Sequence, residues 1–420
     1  MPASPLKAIL LAATLATVAF AGCLQTAEET PTSTSDPGAA AGPLKTILPE
    51  DLLKGTKAYD FLYEFAMGFP LRSSDFPNEI EASRSYLMET LTSYNLSVER
   101  HDYSATGSNI IGYHNGTTQA NEWIVITAHY DSASNSGNAP LHTIYGAWDD
   151  GAGSAALLEL ARSMSQRDFN RTIVFLFTDE EEQGLLGSQA FVKDYATRED
   201  ITIVANLNMD PPALNYPCRD PDGTYLPVTV LYDDSAPQQL RILQVMLDAS
   251  NATGIPEEVR DYHTGGVPIA EVAGTGLSGT SDHASFQEAG IPAVFVGGAV
   301  GKKVAIVSAL SYGLHTAADT AQQMEARCGG ANLLKEGFQV ILNLVYDATA
   351  RLDGIPLVEL QAPVVEAEAA AGTNSTRAHG DVMLVGASLK PAPGTDMEAY
   401  ERIMKLREAG LLNLDLSILG

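Results

Sequence analysis

The chain has 420 residues, 45% of them apolar, enough for one large α/β domain with tails or for two modest domains. Its 52 acids against 25 bases leave a formal charge of −27. That balance argues against a partner as anionic as nucleic acid or an acidic membrane surface, and suits a soluble acidic surface or a salty habitat.

The first 23 residues read as an export signal. Lys7 gives a positive start, and residues 9–21 are apolar or small apart from Thr14 and Thr17. The stretch is short for a membrane span. Ala21-Gly22-Cys23 follows, as in a lipoprotein signal whose Cys becomes the lipidated N-terminus, although Phe20 replaces the usual Leu-like residue. The expectation is an exported protein, either anchored by lipid at Cys23 or secreted. Residues 24–43, rich in Thr, Ser, Pro, Gly and Ala, read as a flexible linker. Beyond Cys23 the cysteines are Cys218 and Cys328, either one disulfide or two buried thiols. Sequons stand at Asn95, Asn115, Asn170, Asn251 and Asn374.

From residue 44 the chain reads as globular. A helix is expected over 79–94, a buried strand over 123–128 (WIVITA), a helix over 153–164 and a buried strand over 172–177 (TIVFLF). A helix over 186–195, strands over 201–207, 228–232 and 293–296, and a closing helix over 332–348 complete the pattern. Strands separated by helices predict an α/β fold with a mixed, mainly parallel central sheet sandwiched by helices. That domain is drawn over 44–354, with 355–420 as an extension of no assigned role that carries an amphipathic helix near 397–408.

Five short segments carry the chemistry: AHYD (128–131), WDDGAGS (148–154), TDEEEQGLLGS (178–188), LNMD (207–210) and LHTAADT (314–320). Most follow apolar runs, so they fall where open α/β sheets place their sites, at the carboxyl ends of strands. Each supplies a histidine or a carboxylate, the ligand types of zinc. Asp131, two residues after His129, fits a carboxylate that orients a metal-bound imidazole. Asp149 and Asp150 could cap a helix or bridge two cations. Four consecutive acids from Asp179 to Glu182 are costly together unless solvated or neutralised by cations.

These segments resemble those of the cocatalytic-zinc aminopeptidase family of secreted leucine-type enzymes, relatives of glutamate carboxypeptidase II, carboxypeptidase Q and the glutaminyl cyclases. The resemblance covers about residues 71–348 and includes LRSSDFPNEIEASRSYL (71–87), NIIGYHNG (109–116) and SDHASFQEAGIPAVFV (281–296). It implies two Zn2+ ions: His129 and Asp210 on one, Glu182 and His315 on the other, and Asp149 bridging. It implies Glu181 as general base, Asp131 as the residue that orients His129, and Asp150 as the bridge's neighbour in a peptide bond the family often holds cis. The family often has Tyr before its last metal histidine; here that position is Leu314, with Tyr312 two further back. A rival Tyr-His-Thr at 262–264 lacks the downstream Asp-Thr, so His263 is rejected as a ligand, and His283 is read as structural.

The expected activity is hydrolysis of peptide bonds, releasing N-terminal residues, by a metal-activated water with Glu181 as base. The alternatives are a carboxypeptidase or dipeptidase, for which Arg219 or Arg260 could hold the substrate carboxylate, and a non-catalytic peptide-binding lipoprotein. The retained Glu181 argues against the last, because a structural metal site needs no spare base.

Overall fold

The computed structural model describes residues 53–133, 144–219, 223, 225–234, 237–252, 267, 269–273, 281–298 and 313–354. The export signal, the linker, the extension over 355–420 with its helix, Tyr312, Arg260 and the 262–264 triplet lie outside them.

The chain begins with α1 (Gly55–Leu62), a π-helical turn (Tyr63–Met67) and α2 (Pro77–Ser93). Then come β1 (Ser97–Asp102), β2 (Ser108–His114), β3 (Gln119–His129), the Ala147–Ala152 turn and α3 (Gly153–Met164). β4 (Arg171–Thr178), α4 (Leu186–Tyr195), β5 (Thr202–Met209), β6 (Val228–Tyr232) and α5 (Pro237–Ala252) follow. The described part closes with β7 (Ile269–Ala273), α6 (His283–Glu288), β8 (Ala293–Gly298), α7 (Ala321–Cys328) and α8 (Ala331–Gly354).

The strands form one eight-stranded sheet in the order β1-β2-β4-β3-β5-β8-β6-β7. Its centre is parallel: β3 pairs with β4 on one side and β5 on the other, and β5 with β8. β1 with β2, β2 with β4, and β6 with β8 are antiparallel. The mixed, mainly parallel α/β sheet expected from the sequence is therefore present, and its reversed strands lie toward the two sides.

The central strands are apolar throughout because both faces are covered. Along β3, Ile124, Ile126 and Ala128 enter the larger core with Leu157 of α3, Leu62 of α1 and Phe338 of α8. Trp123 and Val125 enter the smaller core with Phe191 of α4 and Phe286 of α6. β4 splits likewise, Ile173, Phe175 and Phe177 to one side, Val174 and Leu176 to the other. The closing helix runs six residues past the expected end, to Gly354, because Asp353 still has partners: its carboxylate accepts the backbone N–H groups of Asn170 and Arg171. Cys218, after β5, and Cys328, the last residue of α7, form a disulfide. Among the described residues no helix is long and apolar enough to cross a membrane.

One buried cation fixes the loops beside the carboxyl end of β3. Arg72 is fully buried, and its guanidinium donates to the carbonyls of Tyr130 (2.6 Å), Phe69 (3.0 Å), Tyr145 (2.7 Å) and Gly146 (2.9 Å). Burial pushes it down to about 10, against the pull of Asp131, Asp319, Asp150 and Asp149, so it remains charged at neutral pH. Arg72→Met keeps much of the volume but leaves several buried carbonyls unpaired, at roughly 1–3 kcal/mol each and not additively. The expected loss is on the order of 3 kcal/mol or more in urea denaturation at fixed zinc concentration; a loss below about 1 kcal/mol would mean that water replaces the guanidinium.

Candidate metal centre

Three adjacent strands deliver three of the five segments to one place. β3 ends at His129, β4 ends just before the acidic run, and β5 ends just before Asp210. The fourth segment is the turn that leads into α3, where Asp149 and Asp150 leave helical geometry and are joined by a cis peptide bond. Gly153 is required there, because a Cβ would lie 2.2 Å from the Asp150 carboxylate. The fifth is a tight turn: the Thr316 N–H reaches the Gly313 carbonyl at 3.1 Å, and His315 takes a left-handed φ of 58°.

The two histidines point at one carboxylate. His129 Nε2 is 3.0 Å from Asp149 Oδ1, and His315 Nε2 is 2.8 Å from Asp149 Oδ2. Each imidazole has a further acid in front of it. Asp210 Oδ1 is 3.5 Å and Glu181 Oε2 4.0 Å from His129 Nε2; Glu182 Oε2 is 3.0 Å from His315 Nε2. Two groups of potential ligands result, His129 with Asp150 and Asp210, and Asp149 with Glu182 and His315. The structure thus brings together His129, Asp149, Glu181, Glu182, Asp210 and His315, and Asp150 falls in the first group with His129 and Asp210.

Asp131 lies behind His129. Its carboxylate is 3.2 Å from His129 Nδ1 and accepts the N–H groups of Glu181 (3.2 Å) and Glu182 (3.3 Å). With Nδ1–H donated to Asp131, a neutral His129 turns the lone pair of Nε2 toward carboxylates. That arrangement is repulsive unless a cation stands between them. Burial opposes a charge on His129, but Asp210 and Glu181 outweigh it and raise its pKa well above the ordinary histidine value. Burial, with Asp210, Glu182 and Asp282, drives Glu181 well above the ordinary carboxyl range despite His129. Glu182 Oε1 and Asp150 Oδ2 are buried with no hydrogen-bond partner among the described residues. Converging acids, imidazoles aimed at them and open carboxylate oxygens fit a divalent metal, which takes these donors.

The acidic run divides at a bend. Asp179 turns away to Arg84 (2.5 Å) and the Ser108 N–H (2.9 Å). Glu180, at a left-handed φ of 53°, accepts the hydroxyls of Tyr103 (3.1 Å) and Thr106 (3.2 Å). Only Glu181 and Glu182 face the histidines. Sequence reasoning did not find these supports. Nor did it find a role for Ser281, whose hydroxyl donates to Asp210 and accepts from Asn208 at 2.7 Å, or for Asp319, read there only as part of the Asp-Thr after His315, which accepts the Trp148 and Asp149 N–H groups. Arg84 and Ser281 lay in segments already noted for their family likeness, which was the available signal. Arg219 stacks over Tyr225 at 4.0 Å and donates to its hydroxyl.

This mixed sheet, with histidines and carboxylates gathered at its central strand ends, is the architecture of a metal-dependent peptidase. The chain belongs to peptidase family M28, whose profile matches residues 109–332, more than half of its length. It is 34% identical over 108 residues to a glutamate carboxypeptidase 2 homolog of Caenorhabditis elegans, covering 24% of this chain but only 13% of that protein. It is 27% identical over 208 residues to a "Probable leucine aminopeptidase" of Arthroderma benhamiae, covering 48% of each. In fold it is similar to BSAP, a zinc aminopeptidase from Bacillus subtilis, with TM-score 0.54 and 16% identity over 71% of this chain and 95% of that one.

His283, read as structural, is buried beside Phe295, with ring centroids 5.7 Å apart, and its Nδ1 has no partner among the described residues. Burial pushes it down to about 3. A histidine near 6.5 when unfolded takes up a proton in the unfolded state first, so stability is full above that value and falls as the pH drops toward 3. Between pH 7 and 5 this amounts to about 2 kcal/mol. In His283→Leu, urea denaturation at the two pH values should show an acid loss smaller than wild type by about that amount. Identical losses would show that His283 takes up its proton as readily in the fold as in the unfolded chain.

Proposed function

We propose that this metallopeptidase is an exported aminopeptidase holding two Zn2+ ions. The observation that carries the reading is Asp149, which presents one oxygen to each of two histidines that each face a further acid. On this reading His129 and Asp210 hold one ion, Glu182 and His315 the other, and Asp149 both. Bound zinc lowers the pKa of a water toward neutrality and polarises a carbonyl. Glu181, beside His129 and bound to neither ring, takes a proton from the attacking water on its carboxylate. It returns that proton to the nitrogen of the breaking peptide bond, which leaves as an amine. Asp131 keeps His129 in one tautomer and fixes the backbone of both glutamates.

The likeness to the Arthroderma leucine aminopeptidase supports release of N-terminal residues. Residues 1–23 and the Cys218–Cys328 disulfide support export, with Cys23 as a lipid anchor or a cleavage point for release. The partners are peptides, and the acidic chain is not expected to bind nucleic acid. The metal-loaded protein should cleave a free peptide and its C-amidated form but not its N-acetylated form. Loss on amidation alone would instead support a carboxypeptidase, the activity in the name of the Caenorhabditis relative.

Glu181 and Glu182 are adjacent and should fail differently. Glu182→Gln removes an anionic ligand, so zinc content falls with activity. Glu181→Gln should keep both zinc ions and lose about a hundredfold to ten-thousandfold in rate. Zinc analysis beside turnover separates them; near-normal turnover by Glu181→Gln would move the base to another acid.

A further inference from the structure

Asp319 is a buried acid that the proposed chemistry does not use. It follows His315 by four residues, in the same turn, where its own N–H reaches the Thr316 carbonyl at 3.0 Å. Both of its oxygens are spent on the backbone of another segment. Oδ1 accepts the Trp148 N–H at 2.7 Å, and Oδ2 accepts the Asp149 N–H at 3.1 Å. The Asp319 carbonyl receives the Ala147 N–H at 3.4 Å. Asp149 is non-helical, and it stands before α3 where no earlier turn supplies acceptors for these amides.

The geometry points to Asp319 as a positioning residue for the bridging carboxylate, tying the turn that carries His315 to the peptide that carries Asp149. The two consecutive N–H groups go to different oxygens of one side chain, and a carboxylate offers both as acceptors. An asparagine offers one oxygen and sets its NH2 against the other N–H. The clamp fixes Asp149 from its main chain while the side chain stays free to face both histidines. It acts on the ligand group of Asp149, Glu182 and His315, two of whose members lie on the segments it joins. This inference rests on the proposed metal-ligand roles of Asp149 and His315.

The test uses the full chain loaded with zinc, as wild type, Asp319→Asn and Asp319→Ala. Glu325→Gln serves as control, because Glu325 bonds Tyr59 and Tyr63 away from the acids of the site. Zinc retained per chain is read against increasing chelator, and amide hydrogen exchange of 147–152 is read in metal-stripped protein. Supports of this kind are worth roughly 10–100-fold in metal affinity. Asp319→Ala should therefore surrender one zinc at about tenfold less chelator or lower, keep the other, and exchange faster at 147–152 with α8 unchanged. Asp319→Asn should fall between it and wild type, and it carries the test if the alanine variant does not fold. Folded variants with wild-type zinc release and wild-type exchange would overturn the inference. Failure of wild type to bind zinc would count against the proposed function instead, and the exchange arm would still decide the clamp.

Discussion

Six carboxylates, those of Asp131, Asp149, Asp150, Glu181, Glu182 and Asp210, converge on two imidazoles in a largely buried space. Two like charges at 4 Å repel by about 4 kcal/mol at an effective dielectric of 20, so such a group persists only if something offsets it. Arg72 is the buried cation that acts on several of these acids at once, yet its donors all go to backbone carbonyls. One guanidinium at a distance cannot offset six carboxylates. Backbone amides orient acids without neutralising them. The remaining charge is what the proposed cations would meet, and most of the surrounding architecture keeps the acids in place meanwhile.

The use of each oxygen separates supports from proposed ligands. Asp131 spends its carboxylate on the His129 ring and two N–H groups, and Asp319 spends both oxygens on two more. Neither has an oxygen left for a metal. Among the described residues, the two imidazoles are the side-chain donors that face the Asp149 carboxylate. Glu182 and Asp150 each keep one buried oxygen open, and Asp210 is held by Ser281 on one oxygen while the other faces His129. The two supports work alike, each gripping consecutive amides of a segment other than its own. A ligand is thereby fixed through its main chain and left free at its side chain.

Much of this was legible in the sequence, for physical reasons. Runs such as WIVITA and TIVFLF are apolar throughout because both faces of the sheet are covered, and the acids stand out because they follow those runs directly. The site segments are local strings, so their residue types could be read without the fold. Contacts across the chain could not be read. Asp319 meets Trp148 over 171 residues, Arg72 meets Gly146 over 74, and Asp131 meets Glu181 over 50. No periodicity encodes such pairs. The division of the acidic run was hidden for the same reason, since it depends on Arg84, Tyr103 and Thr106. Strands β1 and β7 were missed because neither carries a long apolar run.

The location of the site follows from strand order. The chain passes from β3 through α3 to β4 on one side, then through α4 to β5 on the other side of β3. The first crossover moves from β3 to one side and the second returns past it to the other, so the direction of connection reverses at β3 and a crevice opens beyond its carboxyl end. Neighbouring strands lie about 4.8 Å apart, so residues just past three adjacent strand ends bring side-chain atoms within the span of two ions. His129, the Glu181–Glu182 pair and Asp210 occupy those places. The other two segments close the crevice from outside the sheet. Asp149 enters from the turn that starts α3, and His315 from the turn that precedes α7. Those two arrive without a strand to hold them, and Asp319 ties the backbone of one to the other.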